Sequence, residues 1–408
     1  MTRFTIASFN AKNLIGPDQE YYRFEKYTPE EHAWKEDWLA DQLLTMDADI
    51  VCFQEIFTED ALRRVVAETD VRGVALNEAS LPDSSKRYSR KAIFNKLAYN
   101  PYTEAALAFA PNANDGGPGE RRPGLAVLSR FGFKGEPEVI QALADPIDIP
   151  LQELGGEGAG HFRVSRLSRP ILKVRVPVGD KIITVFNCHL KSKLGEFIRP
   201  AGAPYAPQAN LLDYDAHGRS LGALRAGLRR MAEAWVLRGL ILKEIYKGHP
   251  VMVLGDFNDG EHAVSTEIIT GETPFVNYAW MRRHDAEKAN ERYSKVDAAT
   301  IRESVERVRL HSAEKMFVRK SLRDMVYTAA FGGVYESIDQ ILMSRHFDPG
   351  YKKKIGEMDY FSVLNDHLTD GSHPEAPYNK LASDHGQIIA HFRLGAAESD
   401  LGKEYPYR

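Results

Sequence analysis

Short apolar runs that stop abruptly on a polar residue recur along this sequence. In VMVLGDFND, residues 251–259, Val251, Met252, Val253 and Leu254 precede Gly255, with Asp256 and Asn258 beyond it. Four consecutive apolar residues are too few for a helix and suit a strand covered on both faces. Gly255 lets the chain leave the sheet. ADIVCFQEI has the same grammar: Ile50, Val51, Cys52 and Phe53 form a strand that ends on Gln54 and Glu55. A glutamate there is costly unless it is paired or holds a cation. Phe4, Ile6 and Phe9 mark a strand that runs into Asn10, and RPGLAVLSRF and RPILKVRVPV predict two more. KIITVFNCHLKSK ends on Asn187, His189 and Lys191. VYESIDQILMS carries Asp339, and LASDHGQIIAHF sets Asp384 and His385 directly before a last strand.

Helical spacing joins Trp34, Trp38, Leu39, Leu43 and Met46, and residues 59–68 predict a second helix. Leu221, Leu224, Leu228, Met231 and Trp235 predict one face of a third. Arg219, Arg229 and Arg230 project from its other faces, as a solvated surface or as a wall steering an anionic substrate. Residues 285–325 form a charged helical stretch with an apolar stripe of Ile301, Val305 and Val308. Residues 80–119 and 134–160, rich in Gly, Pro and polar residues, are expected as loops. With no internal repeat or low-complexity linker, a single domain is expected over 1–395, with insertions at 194–247 and 277–330 and a tail at 396–408.

The chain of 408 residues is 43% hydrophobic and 27% charged, enough for a sizeable core. A net charge of -4 excludes a global basic field, although a local groove or a metal can still hold a phosphate. Both cysteines, Cys52 and Cys188, sit in apolar runs and read as core residues, which argues against a disulfide framework or a thiolate metal site. MTRFTIASFN goes straight into a strand, and no apolar run reaches membrane-spanning length. A soluble, cytoplasmic protein without membrane partners is expected.

The polar strand ends are Asn10, Glu55, His189, Asp256, Asn258, Asp339, Asp384 and His385. Strand ends that converge on one sheet edge build a site. This set is rich in oxygen donors, has two histidines and lacks thiolates, so it favours Mg²⁺ or Mn²⁺. Taken singly, each has a plainer reading. Gly255–Asp256 suits an ordinary turn, Asn10 a turn cap and His189 a satisfied core histidine. Lys191 is a surface lysine or a phosphate contact, and Arg169 a phosphate contact or an exposed structural arginine.

The order FN, QE, NCHLKS, GDFN, SIDQI, SDH resembles the endonuclease/exonuclease/phosphatase superfamily, from residue 3 to about 392 apart from the insertions. The superfamily includes deoxyribonuclease I-like nucleases, AP endonucleases, bacterial sphingomyelinases and inositol polyphosphate phosphatases. The resemblance implies a four-layer α/β sandwich, with two mainly antiparallel sheets face to face and helices outside. On matching positions, Glu55 would be the main metal ligand, Asn10 would orient metal or phosphate, and Asp384 would lie near the metal. Asp256 and Asn258 would position the attacking water and the scissile phosphate. His385, oriented by Asp339, would be the general base or electrophilic partner, and His189 would donate to a phosphate oxygen. Lys12 stands where AP endonucleases place an aspartate, and GDFNDG and YESIDQI depart from the inositol phosphatase signatures. The expected function is metal-dependent phosphodiester hydrolysis, with nucleic acid as the favoured substrate. The alternatives are a phosphatase or phospholipase C-like enzyme on a smaller or lipidic ester, and a non-catalytic scaffold.

Overall fold

The structure is a computed structural model that describes residues 2–17, 19–21, 25–78, 98–112, 122–152, 159–195, 216–271, 277–318, 326–370 and 381–395. In chain order its strands are β1 (Thr2–Leu14), β2 (Ile50–Ile56), β3 (Ala106–Ala110), β4 (Gly124–Ser129), β5 (Glu138–Gln152), β6 (Ala159–Val178), β7 (Lys181–His189), β8 (Val251–Asp256), β9 (Leu310–Ser312), β10 (Ala329–Phe331), β11 (Val334–Glu336), β12 (Asp339–Ser344), β13 (Gly356–Leu364) and β14 (Gln387–Leu394). The helices are α1 (Pro29–Met46), α2 (Glu59–Glu78), α3 (Ala216–Tyr246), α4 (Val264–Thr270), α5 (Lys295–Val308) and α6 (Ala313–Val318).

Two six-stranded sheets run β13-β14-β1-β2-β4-β3 and β5-β6-β7-β8-β12-β9, and β10 and β11 form a separate hairpin. Neighbours are antiparallel except for the central pairs β1/β2 and β7/β8, which are parallel. The apolar runs have the period-2 logic of strands buried on both faces. Ile50 and Cys52 of β2, with Met252 and Leu254 of β8, enter the core between the sheets. Their alternates Val51 and Phe53 pack under α1 and α2 with Leu39, Leu43, Leu62 and Val65. On the other side Val251 and Val253 pack under α3 with Ala234, Leu237 and Ile241. The result is the expected four layers, helices–sheet–sheet–helices. Burying each Leu- or Val-sized side chain contributes roughly 1.5–3 kcal/mol. Both cysteines are free and buried. No helix among the described residues is long and apolar enough to cross a membrane.

The expected loop at 134–160 is instead mostly β5 and the start of β6. Pro146 and Pro150 disguise it, but β5 is an edge strand paired only with β6 and irregular in register, where proline is tolerated. Within 80–119, residues 106–110 are strand β3, another edge; residues 79–97 and 113–121 lie outside the described residues. The second helix extends to Glu78, and β13, an edge strand, was not anticipated. On α3 the predicted face is out of phase. Leu224 is 50% and Trp235 63% exposed, while Ala226, Ala234, Leu237, Ile241 and Ile245 are buried, because small alanines let the helix lie close to the sheet. Ile301, Val305 and Val308 are half-buried on α5. Residues 196–215, 319–325 and the tail at 396–408 lie outside the described residues.

Candidate active site

Sheet register does most of the positioning in the second sheet. His189 at the end of β7 pairs in register with Asp256 at the end of β8, and Asp339, which opens β12, pairs with Asp256 from the other side. Gly255 makes this close approach possible. Its φ is +141°, and a Cβ there would lie 1.8 Å from the Cys188 carbonyl oxygen, so only glycine fits. Asn258 then turns the chain at φ +53°, a left-handed conformation that asparagine tolerates, and its N–H donates to Asp256 Oδ1 at 2.7 Å.

Donors converge on the other oxygen of Asp256. Oδ2 accepts from Asn10 Nδ2 at 3.2 Å and Asn258 Nδ2 at 3.3 Å, and lies 3.1 Å from His189 Nε2. His385 Nε2 stands 3.7 Å away, and its Nδ1 bonds Asp339 Oδ2 at 2.8 Å. Donor atoms of Asp256, Asp339 and His385 all lie within 4.8 Å of one another. Burial alone would raise Asp256, but His189, His385 and the Asn258 N–H outweigh it and hold this carboxylate well below its ordinary range. For His385, burial alone would lower the pKa, but Asp339, Asp256 and Asp384 outweigh it and keep the imidazole charged well above the usual histidine range. Asp339 Oδ1 is buried without a hydrogen-bond partner among the described residues.

Backbone hydrogen bonds fix the loop that carries His385. Ser383 Oγ donates to the Asn10 carbonyl at 2.7 Å and accepts the His385 N–H at 3.0 Å. The His385 carbonyl meets His367 Nε2 at 3.0 Å and Gln387 Nε2 at 3.1 Å. Thr328 links this loop to β12, because its carbonyl accepts the Gly386 N–H at 2.8 Å and its Oγ1 accepts the N–H of Asp339 at 3.1 Å.

The first sheet supplies its side chains differently. Past Asn10 the ladder between β1 and β2 loses register, and Lys12, Asn13 and Glu55 take left-handed φ values of 48°, 57° and 61°. Such backbone costs on the order of 1–3 kcal/mol per residue and collects at functional sites. Glu55 Oε2 accepts the Asn13 N–H at 3.0 Å, its one hydrogen bond among the described residues, which leaves the other oxygen open. Asn10 Oδ1 accepts the Lys12 N–H at 2.9 Å. Asp384 is half-exposed at the rim, 4.0 Å from Lys12 Nζ. Beneath them Lys35 of α1 is fully buried and donates to the Leu381 carbonyl at 3.0 Å. Burial and nearby Lys12 lower its pKa to about 7, against the opposing pull of Glu55 and Asp384.

Six of the sequence-predicted residues thus meet around one carboxylate oxygen, with Glu55 on the neighbouring strand and Asp384 at the rim. Lys191 and Arg169 lie close by but bond backbone: Lys191 Nζ donates to the Leu194 carbonyl at 2.9 Å, and Arg169 Nη1 to that of Leu190 at 3.3 Å. The arginines expected on a solvated face or an anion-steering wall include one that does neither. Arg230 is pinned to Asp259 at 2.6 Å and to the Lys191 carbonyl at 3.1 Å. Buried Glu233 beside it takes the N–H groups of Ser168 and Lys191 at 2.7 and 2.8 Å. Helix α3 therefore clamps the segment after His189. Thr328, Glu233 and Lys35 gave no periodic signal, because each works through a backbone group far along the chain. Ser383 stood unread inside the SDH motif.

In donor type the set suits a hard divalent cation: Glu55 keeps one oxygen free of hydrogen bonds among the described residues, Asn10 Oδ1 accepts the Lys12 N–H, Asp384 lies at the rim, and neither cysteine stands among them.

Solved structures similar to this chain share little sequence with it. An endonuclease/exonuclease/phosphatase family protein from Leptotrichia buccalis matches at 13% identity and TM-score 0.43, over 96% of this chain and 100% of that one. The human Nocturnin catalytic domain matches at 14% and 0.41, over 96% and 95%. A mannosyl-6-phosphatase from Bacteroides thetaiotaomicron matches at 13% and 0.42, over 96% and 100%. No curated protein sequence matches significantly. The profile of the Endonuclease/Exonuclease/phosphatase family matches residues 7–385, and the chain belongs to that family of phosphoester hydrolases.

Proposed function

We propose that the protein is a divalent-metal-dependent phosphodiesterase, with nucleic acid as its substrate. The observation that carries this reading is the buried cluster of Asp256 with Asn10, His189, Asn258 and His385, with His385 in turn held by Asp339. A fixed carboxylate beside two imidazoles and two amides is the kind of preorganised acid–base and hydrogen-bonding set that phosphoryl transfer uses. His385, charged and oriented by Asp339, presents Nε2 as a donor, the electrophilic role of the two open to it. His189 donates to a second phosphate oxygen. Asp256 stays ionised and, with Asn258, orients the attacking water. Glu55, Asn10 and Asp384 would hold Mg²⁺ or Mn²⁺, which when bound polarises the phosphoryl oxygen and eases deprotonation of water.

The test is a metal-by-substrate panel covering plasmid, single-stranded DNA, RNA, a bis-aryl phosphodiester and a phosphomonoester, with His385→Ala as control. The proposal expects Mg²⁺- or Mn²⁺-dependent cleavage of nucleic acid that His385→Ala abolishes. Intact nucleic acids beside a hydrolysed monoester would establish the phosphatase reading instead.

A further inference from the structure

The protein carries a cation of its own among the residues assigned to the metal. Lys12 stands at the end of β1, in the irregular stretch where the ladder between β1 and β2 loses register. Its φ of 48° is left-handed, and its N–H is held by Asn10 Oδ1 at 2.9 Å. Its Nζ comes to 4.0 Å from Asp384 Oδ2, and only 14% of the side chain is exposed, against 53% for Asp384. The next residue, Asn13, gives its N–H to Glu55 Oε2. Lys12 is therefore fixed, by its own contacts or its neighbour's, to Asn10, Glu55 and Asp384 alike.

Lys35 adds a second ammonium group from below. It is fully buried, and its bond to the Leu381 carbonyl ties it to the segment that leads into Asp384. Burial lowers its pKa to about 7, Lys12 pushes the same way, and Glu55 and Asp384 pull against them. Two ammonium groups and two carboxylates thus share one neighbourhood. Of the two lysines, Lys12 is the one whose charge reaches a carboxylate at the rim. A charge this well covered is less screened by salt than one in open solvent.

Resting on the metal-dependent reading above, we propose that Lys12 is a resident counter-cation, whose ammonium competes with the divalent ion for Asp384 and holds the metal affinity of the protein down. An ammonium group satisfies part of a carboxylate's charge but offers none of the coordination that a divalent ion gains from several oxygens, so the metal still binds, only more weakly. The metal requirement of hydrolysis is then set by Lys12 as well as by the ligands.

The experiment measures Mn²⁺ binding by electron paramagnetic resonance of the free ion, at low and high ionic strength, in wild type, Lys12→Met, Lys12→Gln, Lys12→Arg and Glu55→Gln. Melting temperatures identify any variant that does not fold, and the two neutral variants stand in for each other. Either is expected to bind Mn²⁺ about tenfold more tightly than wild type at low salt, consistent with removing one positive charge a few ångströms from a divalent ion. The gap narrows at high salt. Lys12→Arg, which restores the charge, keeps the wild-type affinity, and Glu55→Gln loses binding. The inference is overturned if the neutral variants bind Mn²⁺ no more tightly than wild type, or if Lys12→Arg tightens binding as much as they do. If binding depends on Glu55 but not on the charge at position 12, the inference falls while the metal-dependent reading stands. If neither wild type nor the neutral variants bind Mn²⁺, or if Glu55→Gln binds it as wild type does, that reading fails as well.

Discussion

Each sheet has a parallel pair of strands at its centre, and each pair delivers side chains to the site, yet the two sets are presented in opposite ways. In the second sheet, ladder register sets His189, Asp256 and Asp339 side by side, and their charges are buried and mutually compensated. In the first, the ladder breaks after Asn10, and left-handed backbone at Lys12, Asn13 and Glu55 presents the side chains. The difference teaches where each half gets its rigidity. One half is preorganised by the fold and is hard to alter without unfolding the protein. The other carries left-handed backbone and a crowd of charges, and a bound cation would offset its carboxylates.

The largest effect is expected where register is tightest. Gly255→Ala would drive a Cβ into the Cys188 carbonyl, with a destabilisation above about 4 kcal/mol, read by urea unfolding. A variant with wild-type stability would break the claim that register builds this half. Next, His385→Ala should lower kcat/KM by about 10²–10⁴-fold in protein that still folds, with a lower melting temperature because buried Asp339 loses its partner. A loss of rate larger than the loss of folded protein isolates the chemistry of His385, whose loop is held by hydrogen bonds and not by ladder register.

Asp339→Asn is a finer probe. Apart from burial, which acts the other way, Asp339 is the main reason the His385 pKa is raised. Removing its charge lets His385 lose its proton at lower pH, so the alkaline fall of kcat/KM should move toward neutrality. An unmoved alkaline limb would deny His385 its role as a charged donor. In the first half, Lys35→Met should stabilise the protein. The folded pKa of Lys35 lies below its unfolded value, at about 7, so its charge penalises folding fully below pH 7 and fades as pH rises toward 10. The gain in melting temperature should be a few degrees at pH 6 and vanish near pH 10. A pH-independent change would show that Lys35 is not buried as described.

Much of this was legible in the sequence, because a buried strand must be apolar on both faces and so its polar end stands out. Asn10, Glu55, His189, Asp256, Asp339 and His385 were all found that way, and the resemblance of their motifs supplied the four-layer fold. Edge strands escaped, since one open side lets β5 carry Pro146 and Pro150 like a loop. The phase of α3 also escaped. Its buried face uses Ala226 and Ala234, which are too small to dominate a periodicity that Leu224 and Trp235 set from the exposed side. Residues that act on distant backbone, such as Glu233, Thr328 and Lys35, carry no local pattern. Only the folded chain brings their partners close.

The measurement that tests the account most directly is the rate of bis(p-nitrophenyl) phosphate hydrolysis by protein stripped with a chelator and resupplied with Mg²⁺ or Mn²⁺, wild type beside Glu55→Gln. The account predicts that stripping abolishes hydrolysis, that metal restores it in wild type, and that Glu55→Gln needs at least about tenfold more metal for a lower maximal rate. Hydrolysis that survives chelation, or that is the same in Glu55→Gln, would contradict it.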